Sequence, residues 1–339
     1  MATTDDKAVT RQRKRAAATL GVLALFCAAF LAAAWALAPE KGMGEDGPLL
    51  AIEDILSDEE EAMEPFYTLL IGSDSRRGTA LYTGKANEHA QRDQHSDVML
   101  LVRVDSATYT ISLISIPRDT QLAGQKDKIN DSLRNNNPEE VVAAAERLTG
   151  VSIQYYMMTN FIGFEQLVND VGGVTVDVPL KVTVVDPSTG RDVTVRAGEN
   201  QKLNGSQALV LARARKEYSD NQDIYRQANV RQIVESMIAK ALADSQKTED
   251  DVLALEEYVQ TNFDFDMLLQ LALDFQAHRE EVTIYSSTGP YEGGGLNESD
   301  LWVVPEDAEG WAEFMAAVDA GENPAEVIAP LAYGSDKRS

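Results

Sequence analysis

The sequence is poor in the residues that usually carry thiol or metal chemistry. Its only cysteine is Cys27, so no intramolecular disulfide can form. The three histidines, His89, His95 and His278, lack the spacing of a ligand set. Basic residues are also scarce: 30 Lys and Arg stand against 55 Asp and Glu, a net charge of −25. Such a chain is repelled by nucleic acid backbones unless its cations gather in one place, so a nucleic acid partner is not expected. No G-x-S-x-G elbow is present. "QHSD" (94–97) sets His95, Ser96 and Asp97 side by side, whereas triad members converge from separate places. "GGVTVDVP" (172–179) lacks phosphate-loop spacing, and its paired glycines read as a helix stop. No internal repeat or low-complexity stretch appears, and 44% hydrophobic residues suffice for a packed core.

One long apolar run is present. Residues 16–38, "AAATLGVLALFCAAFLAAAWALA", carry no charge and are long enough to span a bilayer with some tilt. The preceding "RQRKR" (11–15) holds four cations, which predicts a cytoplasmic tail at 1–15 and an extracellular domain after Pro39. A cleaved signal peptide is the alternative, because "ALA" (36–38) looks like a cleavage site; the length of the run favours an uncleaved anchor. Residues 1–38 hold five of the basic and two of the acidic side chains, leaving the exported part at −28. Residues 39–65 read as an acidic, solvated stalk.

Beyond the stalk, apolar segments with strand and helix periods follow one another. "FYTLLIGS" (66–73), "SDVMLLVRV" (96–104), "YTISLISI" (109–116), "IQYYMMT" (153–159), "VTVDVP" (174–179) and "EVTIYSS" (281–287) read as strands. "NPEEVVAAAERLTG" (137–150) carries helix punctuation: a capping Asn137, Pro138 in the first turn and Gly150 at the end. Helices are also expected at 161–173, 203–215 and 226–242, with a buried apolar segment at 265–275. The predicted fold is α/β, a central mixed and mainly antiparallel sheet flanked by helices on both faces. "GPYEGGG" (289–295) reads as a mobile loop, and 305–339 as an acidic helical appendage to a catalytic domain at 66–304.

Several charges fall at strand ends, where ligands bind in open α/β sheets. Asp74 follows the first strand, Asp97 opens the second, and Arg118 and Asp119 follow the third; Arg213, Arg215 and Arg226 come later. Taken singly, each is a surface ion pair contributing at most about 1 kcal/mol. Taken together, arginines that hold phosphate oxygens bidentately and carboxylates that hold a hard cation fit a diphosphate with a divalent metal.

These segments resemble the LytR-CpsA-Psr family. The matching stretches, in family order and covering about 66–285, are "LLIGSDSR", "SDVMLLVRV", "ISLISIPRDT", "DKIND", "FIGFEQLVNDVGGVTVDVP", "LNGSQALVLARAR" and "RQANVRQ". The resemblance implies a membrane-anchored transferase that moves a glycopolymer, such as teichoic acid or capsular polysaccharide, from a polyprenyl diphosphate carrier. The acceptor is a peptidoglycan hydroxyl and the product a phosphodiester. It implies that Asp74 and Asp97 hold Mg2+, and that Arg118, Arg213, Arg215 and Arg226 bind the diphosphate. Asp119 and Lys128 match family positions as supporting or phosphate contacts, and Asp97 or Asp119 is the candidate base. An apolar tunnel between sheet and helices takes the lipid, which suits "MMTNFIGF" (157–164). Three departures stand out. His95 replaces an arginine two positions before Asp97, with Arg92 a substitute from further back. The loop between Asp74 and Asp97 is long. In the R-x-x-R-Q pattern Asp223 stands where the first arginine belongs if Arg226 is the second; Arg231 competes for that role, and Arg226 is favoured. A lipid-binding regulatory wall protein without chemistry and a polyprenyl-diphosphate hydrolase are the other readings.

Overall fold

The computed structural model describes residues 63–75, 94–218, 222–243, 248–291 and 293–328. The expected membrane span, nearly all of the stalk, the loop with Arg92 and the last eleven residues lie outside these. Among the described residues no helix is long and apolar enough to cross a membrane.

The chain opens with β1 (Phe66–Ser73), β2 (Ser96–Asp105), β3 (Thr110–Ser115) and β4 (Thr120–Gln121). Then come α1 (Pro138–Thr149), β5 (Tyr155–Thr159), α2 (Phe161–Asp170) and β6 (Val174–Val178). A hairpin of β7 (Val182–Val185) and β8 (Asp192–Val195) precedes β9 (Gly198–Leu203) and α3 (Gly205–Arg213). Next are α4 (Gln222–Ala243), α5 (Thr248–Tyr258), β10 (Gln260–Thr261), α6 (Phe265–Ala277) and β11 (Thr283–Thr288). The last are β12 (Gly295–Leu296), β13 (Trp302–Pro305), α7 (Ala308–Asp319) and α8 (Pro324–Val327). The main sheet has the order β10-β5-β1-β2-β3-β11. β1, β2 and β3 run antiparallel, while β5 and β11 add in parallel to β1 and β3, so the sheet is mixed as expected.

Because side chains alternate across a strand, the sheet has two different faces. Tyr67, Leu69, Ile71, Met99, Leu101 and Ile114 pack into a dry core with Val141 and Leu148 of α1 and Trp311 and Phe314 of α7. Asn137 caps α1 by accepting from the Glu139 N–H, and Gly150 closes it at φ 74°, as the sequence predicts.

The opposite face, with Leu70, Leu100 and Val102, lines a cavity of about 600 Å³. Val230, Val234 and Ile238 of α4 form its other wall with Leu271 and Phe275 of α6. The segment 265–275 is therefore a cavity wall rather than buried core; only Phe275 in it is buried. Phe66 and Val104 pair at one end of the strands and Ser73 and Ser96 at the other. Eight residues of strand separate these ends by roughly 23 Å.

The C-terminal stretch differs from expectation. β13 pairs with β4, and α7 places Trp311, Phe314, Met315 and Val318 in the same core as β1. The Tyr67 hydroxyl donates to Asp319 Oδ1 (2.6 Å). Residues 305–319 are thus part of the domain, not an appendage: apolar positions at i, i+3, i+4 and i+7 bury one face while acids cover the other. Nor is the start of the glycine-rich segment loose, since the Gly289 N–H donates to the Ser115 carbonyl (3.0 Å). A Cβ at Gly289 would lie 2.0 Å from the Trp311 ring, so only glycine fits.

Trp311 is 1% exposed. Trp311→Ala is expected to lower the unfolding free energy by about 3–5 kcal/mol, as measured by denaturant unfolding.

Candidate active site

β3 stops because Pro117 has no N–H to offer the ladder. The residues around it are then tied to separate parts of the fold. The Ile116 N–H donates to the Met99 carbonyl (2.9 Å), and the Thr120 hydroxyl to the Pro117 carbonyl (2.7 Å). The Asn130 N–H donates to the Arg118 carbonyl (3.2 Å) and the Val304 N–H to the Asp119 carbonyl (2.9 Å). A backbone held at so many points presents the Arg118 side chain to the cavity.

Arg118 meets an ion-pair cluster drawn from distant segments. Its Nη1 donates to Asp97 Oδ1, and its Nε lies 3.8 Å from oxygens of both Asp119 and Asp223. Lys128 Nζ donates to Asp119 Oδ1 (2.7 Å). Arg215 approaches Asp119 at 3.9 Å and Asp223 at 3.6 Å. Arg226 grips Asp223 with Nε (2.9 Å) and Nη2 (3.3 Å), and Gln227 Nε2 adds a bond of 2.7 Å. Arg118, Arg213, Arg215, Arg226 and Asp97 all line the same cavity. Arg213 lies over the Phe161 ring, 4.8 Å from its centroid, and donates to the Val185 carbonyl (2.9 Å).

Arg231 lies elsewhere. It is buried and donates to Ser286, Ser115 and Thr288, tying α4 to β3 and β11. Burial pulls its pKa down to about 10. Of the two competing arginines, only Arg226 reaches the cluster. Arg92 lies outside the described residues.

Asp74 and Asp97 follow and open paired strands, with Ser73 opposite Ser96. Asp74 Oδ1 accepts from the His95 N–H (2.8 Å), and the Asp74 N–H donates to the His95 carbonyl (3.1 Å). The His95 ring bridges two carboxylates, with Nδ1 3.4 Å from Asp74 and Nε2 3.2 Å from Asp131. Hydrogen bonds to Asp131 and then to Asp74 outweigh burial and push His95 up to about 10. A histidinium therefore stands at the position where the resemblance implies an arginine. Among the described residues no group of three or more His, Cys, Asp or Glu forms a metal-ligand cluster.

The electrostatics of the arginines differ. Burial alone would weaken the charge on Arg118, but Asp97, Asp119 and Asp223 more than offset this and raise its pKa. Arg215 shifts downward, first through burial and then through facing Arg118. Burial would raise Asp223 as well, yet Arg226, Gln227 and Arg215 bring it down to about 2. The Nε atoms of Arg118 and Arg215 are buried and lack hydrogen-bond partners. Their nearest carboxylate oxygens, at 3.8 and 3.6 Å, are too far to bond. An anion with more oxygens than a carboxylate would satisfy both.

In the sequence Asp223 and Gln227 stand out only as members of the R-x-x-R-Q pattern, and Asp131 only as the last residue of "DKIND", none with a role of its own. The signal for Asp223 is its spacing: three residues before Arg226 on a helix, the two side chains must meet. For Asp131 no local signal exists, because its contact with His95 spans 36 residues.

Comparison with known proteins gives one family. The model described as the LytR_cpsA_psr family matches residues 46–310. The polyisoprenyl-teichoic acid–peptidoglycan teichoic acid transferase TagU of Bacillus licheniformis is 30% identical over 267 residues, 77% of this chain and 79% of that one. TagV of Bacillus subtilis, of the same description, is 34% identical over 176 residues, 49% of this chain and 44% of that one. The crystal structure of B. subtilis TagV superposes with a TM-score of 0.59 at 26% identity, covering 79% of this chain and 99% of that chain.

The raised pKa of His95 predicts a pH dependence of stability. A group raised from 6.5 to about 10 stabilises the fold fully below pH 6.5, and the contribution fades as pH climbs through about 10. Melting curves of the wild type and His95→Gln should differ most below pH 6.5 and converge above about pH 10.

Proposed function

The chain belongs to the LytR-CpsA-Psr family, and on that footing we propose that it transfers a cell-wall glycopolymer from a polyprenyl diphosphate carrier to a peptidoglycan hydroxyl. The observation that carries this reading is the meeting of Arg118, Arg215 and Arg226 at the polar end of an apolar cavity, with two buried guanidinium N–H groups unbonded. A lipid diphosphate has the matching halves. Its tail gains about 0.8 kcal/mol for each CH2 buried against the cavity wall, and its phosphates supply acceptors for the arginines.

In the proposed reaction the acceptor oxygen attacks the phosphorus next to the donor sugar, and the bond from that phosphorus to the bridging oxygen breaks. Polyprenyl phosphate leaves, and glycan and peptidoglycan become joined by a phosphodiester. Arg118 and Arg215 hold the non-bridging oxygens and offset the charge that develops on them. Arg226 is gripped by Asp223 and steadies the end of α4 beside them. Asp97, whose side chain is 34% exposed, is the carboxylate open to the acceptor and takes its proton. Asp119, 6% exposed and bonded to Lys128, is closed to it and orients the cations instead.

The cofactor we propose is magnesium. Asp74 and Asp97, at paired strand ends, would hold it through hard oxygens, in exchange for the contacts these carboxylates make with His95 and Arg118. When bound, the ion neutralises phosphate charge. Membrane anchoring through residues 16–38, with the domain outside the cell, belongs to the same proposal and brings the cavity to a lipid-borne donor.

Arg118→Ala should reduce transfer by at least about 10²-fold while leaving the circular dichroism spectrum intact. The assay follows wall-linked glycan from purified lipid-linked donor and peptidoglycan; wild-type turnover in this variant would overturn the assignment. Release of free phosphate-bearing glycan in place of the wall-linked product would indicate hydrolysis, and lipid binding with neither product a regulatory role. Ala272→Phe, in the cavity wall, should raise KM for a long-chain donor and leave kcat nearly unchanged.

A further inference from the structure

Asp223 has an unusual place for a carboxylate. It sits in the first turn of α4, near the positive end of the helix dipole, with its side chain 18% exposed. Oδ1 accepts from Arg226 Nε (2.9 Å), while Oδ2 accepts from Gln227 Nε2 (2.7 Å) and Arg226 Nη2 (3.3 Å). The two-point grip by Arg226 is the fork geometry that guanidinium groups use for phosphate. Oδ1 also faces Arg215 Nε at 3.6 Å and Arg118 Nε at 3.8 Å. Three arginines from three separate segments thus converge on an anion that the chain itself provides.

The charge balance follows. Within the cluster Arg118, Arg215, Arg226 and Lys128 stand against Asp97, Asp119 and Asp223, which leaves one net positive charge. Without Asp223 the same groups would carry two. The carboxylate is an imperfect partner for all three arginines, because it bonds Arg226 fully and leaves Arg118 and Arg215 Nε unbonded.

We propose that Asp223 is an internal competitor for the anionic head group: it neutralises the arginine cluster in the free protein and sets an affinity threshold that a ligand must exceed to take Arg118 and Arg215. This rests on the reading that those arginines hold a diphosphate. Free phosphate and pyrophosphate can offer only their charge and bind weakly. A diphosphate carrying a hydrocarbon tail adds the burial of that tail in the adjoining cavity and exceeds the threshold. Asp223 thereby makes the site respond to lipid-borne diphosphates while soluble ones pass.

The experiment is calorimetric titration of inorganic pyrophosphate, at low salt and without added metal, into the wild type, Asp223→Asn, Asp223→Ser and Arg118→Ala. Removing the carboxylate should tighten pyrophosphate binding at least tenfold in both Asp223 variants, and added salt should weaken the gain. Melting curves identify whichever Asp223 variant is folded, and either one suffices. Unchanged or weaker binding in a folded Asp223 variant, with binding still lost in Arg118→Ala, would overturn the competitor role and leave the diphosphate site standing. Binding that is indifferent to Arg118→Ala, or absent from every folded variant, would overturn both.

Discussion

Three guanidinium groups cannot share a few ångströms of partly buried space unless anions lie among them. Unit charges 4 Å apart at the effective dielectric of a protein interior repel by about 4 kcal/mol, and burial adds to the cost. In this protein Asp97, Asp119 and Asp223 are those anions, threaded between Arg118, Arg215 and Arg226. The opposite pKa shifts of Arg118 and Arg215 show how fine the balance is. Arg118 has three carboxylates near it and gains; Arg215 faces two of them, and burial with the neighbouring charges of Arg118 and Arg226 makes it lose. The site is neither an open basic patch nor a sealed ion-pair network. Its donors are concentrated, and two of them remain unspent.

The sheet makes this possible by dividing its labour between two faces. One face is closed by α1 and α7 and supplies the dry core, with Leu69, Leu101 and Ile114 fully buried. The other packs Leu100, Val102 and Leu113 against Phe275 and borders the apolar cavity. α4 links the two functions. Asp223 and Arg226 lie in its first turns beside the charged end of the cavity, and Val230, Val234 and Ile238 continue one wall along the strands. Charge at one end and hydrocarbon along the rest of a single helix match a ligand built the same way. Arg231, on another side of that helix, is spent on sheet hydroxyls and holds the wall in place.

Much of the site was legible where chemistry follows from local order. "IPRDT" announces an apolar strand stopped by proline before a charged pair, and Lys128 and Asn130 of "DKIND" bind that same stretch in the structure. The caps of α1 were legible for the same reason, since Asn137 and Gly150 act on neighbouring backbone. The C-terminal helix was misjudged because its acidic residues dominate the composition while Trp311, Phe314, Met315 and Val318 carry the packing. Asp223 was visible as an oddity, but its meaning depends on Arg118 and Arg215, which reach it from more than a hundred residues away and from across a loop.

By itself the sequence determined the alternation of strands and helices, the kinds of charge at strand ends and the family to which those segments point. Periodicity and the chemistry of neighbouring residues act over a few positions, so they survive reading one residue at a time. Tertiary structure alone decided that a histidinium bridges Asp74 and Asp131, and that one sheet face is closed core while the other borders a cavity. Those outcomes depend on strand register and helix placement, which bring together side chains that no local period relates.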